Sequence, residues 1–154
     1  MEVDPTRVCE LLVGLGDVEV VGVDDEAGVL LPSVPVITIT TDGISLWQAA
    51  AALMSPPITA WAAARYMGAA MSIDAVKLSA SQVQNLPLPA RSVTWDTAAA
   101  MVRQAGRVPS SQQRTHMLQV AGLLMCDAYG ATDADQLKAW WRGRFSRTNK
   151  ERSS

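Results

Sequence analysis

The chain is poor in the residues on which many enzyme sites and extracellular scaffolds are built. It has two cysteines, Cys9 and Cys126, far apart and with no CxxC pair, and a single histidine, His116. That inventory supports neither a disulfide framework nor a zinc site, and it suits a reducing cytoplasm. With one imidazole and no partner signature around it, His116 reads as a structural or exposed side chain rather than a general base. Long apolar runs are also missing. Gln48, Pro56, Pro57 and Arg65 interrupt the most hydrophobic region before the about 18 residues of a membrane span accumulate. The opening MEVDPTRVCE is acidic and lacks the basic start and apolar run of a signal peptide. No internal repeat is visible, and no pair of carboxylates has a spacing that suggests acid–base chemistry.

What is present describes a folded domain. Of 154 residues, 49% are hydrophobic and 18% charged, enough apolar material for one core and too little charge for a disordered chain. The net charge of -2 conceals an asymmetry. Residues 1–60 hold nine acids and one base (Arg7), a net of -8, and residues 61–154 hold six acids and twelve bases, a net of +6. Opposite signs in the two parts point either to mutual contact or to a face meant for a polyanion.

The first forty residues read as β structure. VEVVGV (18–23) and VPVITIT (34–40) are β-branched, with DDEAG as the turn between them, and residues 5–13 suggest a short helix behind Asp4 and Pro5. From residue 42 the period becomes helical. Asp42 or Ser45 is the expected cap of ISLWQAAAALM, which Pro56 and Pro57 end, and Thr59 is expected to open AWAAARYMGAA. AVKLS suggests a short strand, followed by a brief helix capped by Ser79 or Ser81. LPLPA must be extended, because each proline disfavours the α region for the residue before it. Three further helices follow. One has a Thr94 cap and stops at Gly106; one buries Met117, Val120, Leu123 and Leu124 and stops at Gly130. The last is capped by Thr132, with Arg142 and Arg144 at its end. The expected fold class is α+β, predominantly α, with a small N-terminal β element packed on about five helices. Its divisions are a β-rich acidic element (1–41), a helical region (42–145) and a polar tail (146–154), in one domain.

Two stretches invite a catalytic or ligand-binding reading and fail it. VGLGDVEVVGVDD has the glycines of a dinucleotide loop, but that loop needs a helix after them and an acid about 20 residues on. Only seven residues separate Gly16 from Asp24. The pair Trp140-Trp141 lies on an amphipathic helix and reads as a core or interface anchor rather than a platform for bases.

One ordered series of segments is more specific. LLPSVPVITI leads into a small-residue helix ending in LMSPPITAW; Gly68, IDAVKLSASQVQNLPLPA, the helix start at Trp95-Asp96, and AYG with AWWRGRF follow. Over roughly residues 29–145 this resembles the C-terminal target-recognition region of adenine-specific DNA methyltransferases and the specificity subunits of restriction-modification systems. In that family the catalytic tetrapeptide is Asn, Asp or Ser, then Pro-Pro, then an aromatic residue that stacks on the flipped adenine. Here Ser55-Pro56-Pro57 is followed by Ile58, and the cofactor-binding glycine motif upstream is missing. Ser55-Pro56-Pro57 is therefore expected to be a helix break, and the chain to be non-catalytic and without a cofactor.

The resemblance implies a non-catalytic DNA-recognition domain, or a split or remnant subunit, acting on double-stranded DNA beside a separate catalytic methyltransferase subunit. The residues expected to face DNA are Arg65, Lys77, Ser79, Ser81, Gln82, Gln84, Asn85 and Arg91. Lys and Arg neutralise phosphates, and Gln and Asn can pair bidentately with adenine in the major groove. The alternative is a structural or protein-interaction module, binding through the Trp47 and Trp61 helices, that never touches DNA.

Overall fold

Gly43, at φ 77°, turns the chain into the first of six helices among the described residues. The computed structural model describes residues 9–10, 38–66 and 78–151, with the backbone alone at 9–10, 38 and 144–151. In chain order the helices are α1 (Leu46–Leu53), α2 (Pro56–Tyr66), α3 (Ala80–Gln84), α4 (Val93–Ala105), α5 (Ser111–Ala128) and α6 (Asp135–Glu151).

This corrects the α+β expectation to a helical fold. Strand pairing among the described residues is limited to β1 (Cys9–Glu10) and β2 (Thr38–Ile39), two residues each and antiparallel. Such a pair forms no layer for helices to pack on. The expected strand at 18–23 and most of the one at 34–40 lie outside the described residues, as does AVK of the suggested strand before Leu78. The expected helix at 5–13 is corrected at Cys9 and Glu10, which are extended; the rest lies outside. The physical reason that no sheet is required is that the helices close the core on one another.

Alanine makes that closure possible. Leu46 and Ala49 to Leu53 are buried along α1, and Trp95, Ala98, Ala99, Val102 and Ala105 along α4. Small side chains on facing helices let the backbones approach, since helix separation follows the size of the residues at the contact. Met54, Ala121 and Met125 complete the main cluster around Trp95. A smaller cluster of Leu53, Ile58 and Leu86 lies beside it, with Ile39 and Tyr129 packed against both.

The caps settle several alternatives. Ser45, not Asp42, caps α1 through a reciprocal capping box with Gln48. The Ser55-Pro56-Pro57 break separates α1 from α2, but α2 begins at Pro56 rather than after Thr59. Proline suits a first helical turn because its missing N–H would have had no intrahelical partner. Ser92 rather than Thr94 caps α4, so that Trp95 enters the helix with its N–H held by the Ser92 hydroxyl at 3.2 Å.

The expected buried face of α5 is also corrected. Ala121, Gly122, Met125 and Cys126 are buried, while Met117, Val120, Leu123 and Leu124 are only partly so. α5 packs on α1 and α4 along one side and on α2 and α6 along another, which erases a single apolar stripe. α6 starts at Asp135, beyond Thr132, and runs to Glu151, so Arg142 and Arg144 are mid-helical and do not complement its C-terminus.

The α5–α6 contact depends on one glycine. A Cβ at Gly122 would stand 2.7 Å from Trp141 Cζ2 and closer still to Nε1 and Cε2. Trp141 is 1% exposed and its Nε1–H donates to the Gln119 carbonyl at 3.2 Å, so the ring has no free direction in which to yield. Gly122→Ala should therefore lose about 1–3 kcal/mol to overpacking, outweighing the about 0.5–1 kcal/mol that alanine contributes within a helix. Gly143→Ala, where a Cβ meets nothing within 4 Å, should show the helix gain alone. Urea unfolding of both variants checks this; a Gly122→Ala protein as stable as the parent would contradict the close approach.

Candidate functional site

The polar segment singled out in the sequence forms α3 and an extended strap that joins it to α4. α3 begins with a second capping box. The Ser79 N–H donates to Gln82 Oε1 at 2.7 Å, and the Gln82 N–H donates to Ser79 Oγ at 3.4 Å. At the other end, Asn85 Nδ2 donates to the Ser81 carbonyl at 2.7 Å. The Ser79 and Ser81 hydroxyls lie 3.1 Å apart and bond to each other. Serine, glutamine and asparagine here secure a five-residue helix that has no buried residue of its own.

The strap is held at several points. Leu86 enters the smaller core cluster, and Pro89 is buried, while Pro87 and Leu88 face outward. The Tyr129 hydroxyl donates to the Pro87 carbonyl at 2.8 Å, across 42 residues of sequence. Arg91 Nη2 donates to the Gly43 carbonyl, tying the strap to the turn before α1. Gln48 and Trp95 close the region from below: the Trp95 indole N–H donates to the Gln48 carbonyl at 2.9 Å, and Gln48 Nε2 donates to Asp96 Oδ1 at 2.7 Å.

Of the expected DNA-facing residues, Ser79, Ser81, Gln82, Gln84 and Asn85 come together on or beside α3. Gln84 is exposed and is the one amide of this group with no hydrogen bond among the described residues. Arg91 is exposed on the strap with part of its donor capacity used. Arg65 is exposed on α2, its guanidinium carbon 4.6 Å from the centroid of Trp61, whose ring also meets Tyr66 edge-on at 5.9 Å. Lys77 lies outside the described residues.

Ser55 is fully buried. Its hydroxyl donates to the Ala52 carbonyl at 2.6 Å and accepts from the Ile58 N–H at 3.4 Å, capping α2. His116 is exposed on α5, and Cys126 is buried, where burial raises its thiol above the usual range and the nearby Lys138 charge offsets part of the shift. Among the described residues no group of three His, Cys, Asp or Glu side chains is placed to hold a metal ion. No described helix is long and apolar enough to cross a membrane.

Tyr129 and Gln48 are the organising residues that the sequence did not single out. The only local signal for Tyr129 was its place before Gly130, whose φ of 72° ends α5. No family model matches the chain, and no curated protein or solved structure matches it significantly.

Burial raises the Tyr129 phenol well above its ordinary range, with the nearby Ser55 side chain acting in the opposite direction. The linkage sign follows. Below about pH 10 the phenol is neutral in folded and unfolded chains alike; above it the unfolded chain loses the proton first, so stability falls as pH rises. Tyr129→Phe should cost about 0.5–1.5 kcal/mol at neutral pH and should flatten the alkaline decline. Thermal melting from neutral to alkaline pH checks both effects; an unchanged decline would show that another group controls it.

Proposed function

We propose that the chain is a non-catalytic DNA-recognition domain, a split or remnant subunit of a DNA methyltransferase or restriction-modification system, acting beside a separate catalytic subunit. The observation that carries this reading is the presentation of α3. It is mostly polar and has no fully buried residue, with Val83 resting on the smaller core cluster, yet it is fixed at both ends by its capping bonds and by a strap anchored through Leu86, Pro89 and the Tyr129–Pro87 bond. A segment that reads base edges must be exposed, and it binds more tightly when little order has to be imposed on contact. Gln84 supplies a free amide for an adenine edge, and Arg65, Arg91 and Lys77 supply charge for phosphates.

A second reading, a protein-interaction module, is favoured by a specific observation. Ser79, Gln82 and Asn85 spend hydrogen bonds inside α3, which reduces its capacity for base reading. Leu88 on the strap and Val93 at the start of α4 are exposed and offer apolar anchors to a protein partner.

The chain should shift duplex DNA at low salt with a dissociation constant in the range of about 10⁻⁴–10⁻⁶ M, typical of contacts dominated by phosphate. Lys77→Ala should weaken binding to all sequences alike and make the salt slope shallower by about one unit. Gln84→Ala should cost about 1–3 kcal/mol on the preferred sequence alone, whereas Gln82→Ala should also loosen α3 by breaking its capping box. Absence of any shift, together with loss of a protein contact in Leu88→Ser, would establish the interaction module instead.

A further inference from the structure

We propose that the corner where α4 turns into α5 is a second contact for the phosphate backbone of duplex DNA, an inference that rests on the DNA-recognition reading above. From Thr97 to Cys126 the chain has no aspartate or glutamate, and its lysine and arginine side chains there are Arg103, Arg107 and Arg114. The fold gathers these three at one end of the α4–α5 pair. Arg103 is in the last turn of α4 and Arg107 lies just past its end. Arg114, near the start of α5, reaches back so that its Nε donates to the Ala105 carbonyl at 3.3 Å and its Nη2 to the Val108 carbonyl at 3.0 Å. The guanidinium of Arg114 is thereby held against the turn that carries Arg107. All three arginines are exposed.

None of the three arginines forms an ion pair among the described residues. The salt bridge between Lys138 and Asp127, 3.0 Å long, lies at the opposite end of α5. Like charges left together raise the local potential and draw counter-ions. The side chains are arginine throughout, and the guanidinium fork matches phosphate oxygens in a bidentate way that an ammonium does not.

The surroundings favour phosphate over a protein partner. The exposed residues of the corner, such as Gln104, Ser110, Ser111 and Gln112, are small or polar. The exposed large hydrophobics, Leu88, Val93 and Trp140, all lie elsewhere. A protein interface needs an apolar centre; a contact with the DNA backbone needs positive charge and neutral donors. The thirteen residues of α4 separate this corner from the strap. At a rise of about 1.5 Å per residue that is about 20 Å, roughly six base-pair steps of a duplex.

The test is the salt dependence of binding to a short DNA duplex, measured by fluorescence anisotropy from roughly 50 to 200 mM salt. The proteins compared are the full chain, Arg103→Gln/Arg107→Gln, and Gln84→Ala. Arg114 is left intact because its bonds to Ala105 and Val108 hold the turn. The double variant should melt like the parent, keep the parent's sequence preference and show a slope shallower by about two units. Gln84→Ala should keep the parent's slope. A double variant whose slope equals the parent's overturns the corner contact while leaving the DNA reading in place. A parent that binds no duplex overturns both, and the two failures are distinguished by the parent alone. A double variant that loses an acidic protein partner while binding DNA like the parent assigns the corner to protein contact and overturns the proposal.

Discussion

The arrangement depends on the hydrogen bond from the indole N–H of Trp95 to the backbone carbonyl of Gln48, 2.9 Å long and made by a tryptophan only 1% exposed. A buried indole must find an acceptor or incur the cost of its desolvation, and the observed register of α4 against α1 supplies one in the Gln48 carbonyl. Gln48 reinforces that register with its side chain, which accepts from the Ser45 N–H and donates to Asp96. One residue thus caps α1, bonds the first turn of α4 and receives the central tryptophan. Asp96 gains twice, because a carboxylate in a first turn also meets the positive end of its own helix.

Once α1 and α4 are in register, the remainder follows by exclusion of space. The alanines of the two helices leave room for a third, and α5 fills it with Ala121 and Met125. The other side of α5 receives Trp141 over Gly122, which brings α6 against it. The end of α5 then delivers Tyr129 to the edge of both core clusters, where its hydroxyl reaches Pro87. The polar segment before the strap is consequently an outgrowth of a helical frame, positioned by contacts that lie far from it in sequence.

This explains which parts of the molecule were legible. Local signals were read correctly where chemistry and geometry are both local: the helix break at Ser55-Pro56-Pro57 and the glycine stops at Gly106 and Gly130. They failed where two residues were locally equivalent and packing decided between them. Ser92 and Thr94 each offer a hydroxyl, and the need to place Trp95 in the core selects Ser92. α5 misled because it is covered on two sides, so its most buried positions are small ones, Ala121 and Gly122, rather than its leucines. The β-branched run at 34–40 promised a sheet, but among the described residues Thr38 and Ile39 pair with Cys9 and Glu10 alone, and the turn at Gly43 follows at once. At the candidate site, the residue types were visible but not their occupation: Gln82 and Gln84 look alike in the sequence, and only the fold shows that Gln82 closes a capping box.

In the proposed function, a cooperative frame of α1, α4 and α5 presents α3 to DNA as a surface element. Amide hydrogen exchange on the full chain, with and without a short duplex, tests it most directly. Without DNA, the amides of Ala50 to Leu53 and of Ala98 to Val102 should exchange only through global unfolding, and those of α3 through faster local opening. Addition of the duplex should slow α3 and leave the α1 and α4 amides at their global limit. Exchange in α3 that is unchanged by saturating duplex would contradict the account.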